Sequence, residues 1–162
     1  MRIVGIDPGI GRLGWAVVEK HAGKPQAIIY DCFETPATLS VPERLQRIHQ
    51  HVTKLLQNYT PDALSIEDLF FINNAKTAFA VGQARGVVLL AAAQHSIPVF
   101  VYTPLQVKVA VTGYGRGDKA QVGKMVKAIL GLDAIPTPDD TADALAIAIT
   151  HAFSNTTVLR KR

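Results

Sequence analysis

The sequence predicts an α/β domain in which a mixed sheet is flanked by helices, and three observations predict it. Three strand-like runs open the chain with only short turns between them. Behind residue 40 the apolar period changes from two to about 3.6, and helical segments then alternate with short apolar strands before the chain closes on helices. The chain's 162 residues fit one compact domain and leave little room for a second. Residues 1–155 are expected to form that domain, with residues 156–162 as a basic tail.

The elements follow in order. Arg2 to Ile6 reads as a short buried strand, closed by the turn residues Pro8, Gly9 and Gly11. Leu13 to Glu19 and Ala27 to Phe33 read as two further strands, separated by a turn at Ala22-Gly23-Lys24-Pro25. Ser40 and Glu43 carry the capping-box spacing with Pro42 in the first turn. Leu45, Ile48, Val52, Leu55 and Leu56 recur at helical spacing behind them, so a helix runs to about Asn58. Ala63 to Glu67 is a short strand ending in the carboxylate pair Glu67-Asp68. Asn73 or Asn74 caps a helix that runs to about His95, and Pro98 to Tyr102 is another strand. Thr103-Pro104 starts a short helix, and Gly113 to Gly117 forms a loose loop. Asp118 caps the next helix, which places Val122, Met125, Val126, Ile129 and Leu130 on one face. Asp139 to Phe153 is the last helix. No repeat, low-complexity tract or linker interrupts the series.

Composition narrows the class. Cys32 is the only cysteine, so an intrachain disulfide is impossible and a reducing, cytoplasmic setting is expected. Met1 leads straight into a strand-like run without a basic leader, and the longest apolar stretch, Gly86 to Ala93, is too short to cross a bilayer. The formal charge of +4 and a pI near 9.3 suit an anionic partner such as nucleic acid without demanding one. No Cys/His set has zinc-ligand spacing, and no Gly-x-x-x-x-Gly-Lys-Ser/Thr phosphate loop is present.

The informative residues are acids in apolar surroundings. Asp7 ends a buried strand before a Pro-Gly turn, Glu67 ends another, and Asp140 and Asp143 lie three apart at the start of an Ala/Leu/Ile-rich helix, on one face of it. Taken singly, each has an ordinary reading as turn former, helix-dipole partner or solvated strand end. Together, strand ends on one sheet edge and one helix N-terminus place several carboxylates around a point. No Lys or Arg adjacent in sequence neutralises them, the neighbours being Ile6, Pro8, Ile66, Ala142 and Ala144. Hard divalent cations would, since Mg²⁺ prefers carboxylate oxygens and water. Two such ions about 4 Å apart can activate a water and stabilise a departing oxyanion in phosphodiester hydrolysis.

Four ordered segments then carry a specific resemblance. Ile3-Val-Gly-Ile-Asp-Pro-Gly9, Ile66-Glu-Asp-Leu-Phe-Phe71, Gly82-Gln-Ala-Arg-Gly86 and Asp140-Thr-Ala-Asp-Ala-Leu-Ala-Ile-Ala148 resemble the RuvC Holliday-junction resolvases, from Met1 to about Phe153. The resemblance implies a ribonuclease H-like fold of the retroviral-integrase superfamily. It implies resolution of four-way junction DNA by paired, symmetric, metal-dependent phosphodiester hydrolysis in recombination and repair. Asp7, Glu67, Asp140 and Asp143 would be the catalytic, metal-binding acids, holding two Mg²⁺ ions with Mn²⁺ as a substitute. Asp139, four residues before Asp143, is also spaced to face the site, and the family's Asp-x-x-Asp spacing selects Asp140.

The same resemblance implies that Phe70, with Phe71 second, wedges against bases at the junction centre, and that Lys108 and Lys119 contact phosphates near the cleaved bond. Arg116 lies in the glycine-rich loop between those lysines, where it suits a phosphate backbone. Two symmetric cuts call for a two-fold homodimer. The segment Ala75 to Ala93, rich in small and apolar residues on more than one face, is either buried in its own domain or packed on a partner, and the resemblance implies the dimer interface. A RuvA–RuvB branch-migration complex is the implied partner. Two rivals fare worse: an actin-like or sugar-kinase-like ATPase needs two such domains, and an RNA-processing relative should lack the Phe-Phe, Gly-Gln-Ala-Arg-Gly and two-lysine features together.

Overall fold

The computed structural model describes residues 1–68, 75–115 and 117–154, the side chains of residues 75–77 excepted. Its strands are β1 (Arg2–Asp7), β2 (Arg12–His21), β3 (Lys24–Glu34), β4 (Ala63–Glu67) and β5 (Val99–Tyr102). Its helices are α1 (Val41–Tyr59), α2 (Ala75–Gln94), α3 (Pro104–Thr112), α4 (Lys119–Leu130) and α5 (Asp139–Phe153). The five strands form one sheet in the order β3-β2-β1-β4-β5. Strands β1, β2 and β3 pair antiparallel through tight turns, whereas β4 and β5 arrive through helical crossovers and pair parallel. The mixed sheet flanked by helices is therefore as expected.

Local chemistry accounts for the element ends. The Ser40 backbone N–H and hydroxyl both donate to Glu43 Oε2, at 2.9 and 2.6 Å, which starts α1. Thr60, with φ 41°, ends it in the left-handed region. Reciprocal boxes start α3, where the Gln106 N–H donates to Thr103 Oγ1 at 3.2 Å, and α4, where the Gln121 N–H donates to Asp118 Oδ1 at 2.7 Å. The expected cap of α2 at Asn73 or Asn74 lies outside the described residues. The expected four-residue turn between β2 and β3 is tighter. Ala22 and Gly23 make it alone, both at positive φ (48° and 87°), so both strands run further than alternation suggests.

Two apolar layers sandwich the sheet. On one face Val4, Ile6, Trp15, Leu64 and Ile66 meet Ile48, Val52, Leu55 and Leu56 of α1 and Ala84 and Val88 of α2. On the other, Ile3, Ala16 and Val18 meet α5 with Val107 and Val111 of α3 and Val122 and Val126 of α4. Ile3, Val4 and Ile6 of the central strand β1 are all fully buried, as a strand covered on both sides requires. One core assignment fails: Met125 is 38% exposed, and the buried face of α4 turns through Val122, Gly123 and Val126 instead. Among the described residues no helix is long and apolar enough to cross a membrane.

Candidate active site

Period two in the sheet decides which acids meet. Gly5 pairs with Ser65 and Ile6 with Ile66, so Asp7 and Glu67, one residue on, close adjacent parallel strands at the same edge and point to the α5 face. Asp68 falls on the opposite face and lies 4.0 Å from Arg85 of α2. Asp7 also pairs with Gly14 of β2. A Cβ on Gly14 would lie 1.9 Å from the Asp140 carbonyl oxygen, and one on Gly5 would lie 2.3 Å from that of Ala144. These two glycines let the first turns of α5 rest directly on the sheet, which carries Asp140 and Asp143 to the edge where Asp7 and Glu67 end.

The four acids sense one another. Burial pushes the Asp7 carboxyl up to about 7, with further upward pressure from Asp143, Glu67 and Asp140, in that order. Glu67 is raised by burial and then by Asp143, against the lowering charges of Lys119 and Lys108. Asp143 is raised by burial, with Asp139 and Asp140 adding to the shift and Lys119 opposing it. Asp139 bears on Asp143 and Lys119 and lines a cleft of about 300 Å³ between α4 and α5, together with Ile135 and Gly123.

Two cations flank the cluster. Lys119 Nζ lies 3.3 Å from Asp143 Oδ2, and Arg12 Nε lies 3.0 Å from Asp140 Oδ2. No residue adjacent in sequence supplies these charges, as expected; the fold does. Both partners are remote in sequence and are brought in by the β1–β2 turn and by the packing of α4 on α5. Arg12 escaped the sequence reading altogether, and the signal that points to it is its place at the start of the strand antiparallel to Asp7. Lys119, though in the first turn of a helix that disfavours a cation, is compensated by Asp143. Lys108 is half-buried on α3, close enough for Glu67 to feel its charge. Phe70, Phe71 and Arg116 lie outside the described residues.

An all-oxygen set of this kind fits a hard divalent cation. Four acids are held together, partly buried, with the side-chain cations Arg12, Lys119 and Lys108 beside them among the described residues, and Asp140 Oδ2, although 3.0 Å from Arg12 Nε, accepts no hydrogen bond. Among the described residues no three of the acids already stand as a ligand set around one point. The site is an open one, of the sort Mg²⁺ completes with water and substrate phosphate.

A family model described as crossover junction endodeoxyribonuclease RuvC matches residues 3–151. A crossover junction endodeoxyribonuclease RuvC of Desulfitobacterium hafniense is 53% identical over 154 residues, spanning 95% of this chain and 93% of the relative. The structure of T. thermophilus RuvC in complex with Holliday junction substrate superposes with a TM-score of 0.90 at 44% identity, covering 94% of this chain and 93% of that one. The yeast mitochondrial Holliday junction resolvase shares the fold with a TM-score of 0.69 at 15% identity, over 93% of this chain and 77% of its own.

Proposed function

The chain belongs to the RuvC family of crossover junction endodeoxyribonucleases, and we propose that it resolves four-way DNA junctions by paired, metal-dependent phosphodiester hydrolysis at the Asp7–Glu67–Asp140–Asp143 cluster. As a family member it is an enzyme that hydrolyses DNA phosphodiester bonds. The observation that carries the site assignment is that Asp7 is half-buried at a sheet edge with the charges of the three other acids bearing on it. Two Mg²⁺ ions, with Mn²⁺ as a substitute, are the cations this donor set suits, and when bound they would supply an activated water and charge compensation for the leaving oxygen.

The chain's own residues do the rest. Asp7 and Glu67 offer carboxylates from strand ends, and α5 adds Asp140 and Asp143 from a helix seated on Gly5 and Gly14. Asp140 is favoured over Asp139 because its charge reaches Asp7. Lys119 and Lys108 flank the acids on the α3–α4 side, where they are placed to hold phosphates next to the cleaved bond. Phe70 and Phe71, in the segment that follows Glu67, are assigned to stacking on bases at the junction centre by family resemblance, and Arg116 to the backbone. A calorimetric titration of the metal-free protein with Mn²⁺ tests the site: about two ions per chain are expected, with a drop in stoichiometry or an approximately tenfold or greater loss of affinity in Asp143→Asn. Equal binding by the variant would move the metal elsewhere.

Paired cuts call for a dimer, and α2 is the surface offered for it. Ala84, Val88, Ala91 and Ala92 pack inward, while Phe79 (70% exposed), Gly86, Leu90 (52%) and Ala93 fall on the outer face. An apolar stripe of this length suits a second copy of the same helix. Phe79→Glu with Leu90→Glu is expected to convert a dimer to a monomer in sedimentation and to leave nicks uncoordinated. A variant that still sediments as a dimer would place the interface elsewhere. We assign the protein to the cytoplasm, as one domain over residues 1–155 with a basic tail, working with a RuvA–RuvB branch-migration complex.

A further inference from the structure

We propose that Arg12 binds a phosphate of the junction strand on the flank of the acid cluster opposite Lys119. This proposal rests on the junction-nuclease reading and deepens it.

Arg2 and Arg44 are committed to the fold, and Arg12 is not. Arg2 donates through Nη1 to the Tyr59 carbonyl at 2.8 Å and through Nη2 to Glu19 at 3.2 Å. Arg44 donates through Nε to Thr35 Oγ1 at 2.8 Å. The Arg12 side chain, by contrast, is 53% exposed, and Asp140 is its one ion-pair partner among the described residues. Glu34 stands opposite it in the β2–β3 register yet makes no ion pair with it. Although Arg12 Nε approaches Asp140 Oδ2 to 3.0 Å, that oxygen has no hydrogen-bond donor, so the approach is one of charge and not of an aimed N–H. Among the described residues, then, Arg12 has five N–H donors and no hydrogen bond.

Stability does not explain such a residue, because an ion pair with one partner this exposed adds little to folding. Location does. Asp140 and Asp143 lie three residues apart on one face of α5, and each has its own cation, Arg12 from the β2 side and Lys119 from α4. A polyanionic strand reaching the acids therefore meets a positive charge beside each of these two carboxylates. A planar guanidinium with free donors can take two non-bridging phosphate oxygens at once.

The test measures binding of a fluorescent synthetic four-way junction by anisotropy in chelator, across a range of salt. Arg12→Gln is expected to weaken binding about five- to tenfold, with a salt slope shallower by about one, as loss of one phosphate contact gives. Arg12→Lys should keep the slope. Removing a positive charge beside four acids also lowers DNA affinity nonspecifically, so the comparison is repeated with Asp140→Asn in both proteins. A phosphate contact predicts the same loss there. If the loss disappears in the Asp140→Asn background, Arg12 acts only by neutralising that acid and the proposal is wrong. Unchanged affinity and slope in Arg12→Gln would overturn it too. Wild-type protein that fails to bind the junction overturns the junction reading itself, and this proposal with it.

Discussion

Asp7→Asn is expected to reduce junction cleavage by on the order of a thousandfold or more while leaving junction binding in chelator nearly intact, since the acid serves the metal site and not the DNA. The same change should stabilise the metal-free protein. In the unfolded chain the Asp7 carboxyl ionises near its ordinary value of 3.8, and in the folded chain at about 7. Below about pH 3 both states are protonated and the difference vanishes. As pH rises from 4 to 7 the unfolded state ionises first, and above 7 the folded state carries the full penalty of a buried charge among like charges. That penalty is bounded by the shift at about 4 kcal/mol and is smaller where water enters the site. Melting curves in chelator should therefore show Asp7→Asn ahead of the wild type at pH 8 and level with it at about pH 3. Mg²⁺ should raise the wild type far more than the variant. A variant that melts lower at pH 8 in chelator would mean that the carboxylate is stabilised where it stands.

Gly14→Ala is expected to be the most damaging substitution outside the acids. The added methyl would sit 1.9 Å from the Asp140 carbonyl oxygen, and both atoms belong to regular backbone, so a strand or a helix must move. Overpacking of this kind costs about 1–3 kcal/mol. The functional loss should exceed the structural one, because the displaced turn carries Asp140 and Asp143, and a misplacement of about 1 Å costs on the order of a hundredfold in rate. Gly5→Ala, 2.3 Å from the Ala144 carbonyl oxygen, pushes the same helix one turn further along and should behave alike. The check is a pair of melting temperatures with cleavage rates at a temperature where both proteins are folded. A Gly14→Ala enzyme with the wild-type rate would show that α5 can ride higher on the sheet without disturbing the acids.

The contrast between these residues shows what is legible in a sequence. Asp7, Glu67, Asp140 and Asp143 can be picked out because a charged residue ending an apolar strand or opening an apolar helix is a local anomaly. The capping box at Ser40-Glu43 and the cap at Asp118 are local as well, and both helices begin there. Gly14 carries no such mark, since its role exists only once α5 lies across β2. The same holds for the cations: Arg12 is 128 residues from Asp140, and Lys119 is 24 from Asp143. Neighbours in sequence therefore say nothing about the cations that the fold brings to the acids. Met125 failed for a related reason, because helical spacing names a face of α4 without fixing its edge, and α5 covers only the part through Val122 and Val126.

The most direct test of the central claim is a synthetic four-way junction labelled on each strand in turn, incubated with the protein with and without Mg²⁺ and then with excess chelator. The account predicts paired nicks at symmetric positions on two opposing strands, present with Mg²⁺ and absent with chelator. Cleavage that persists in chelator, or nicks spread without symmetry over junction and duplex alike, would contradict it.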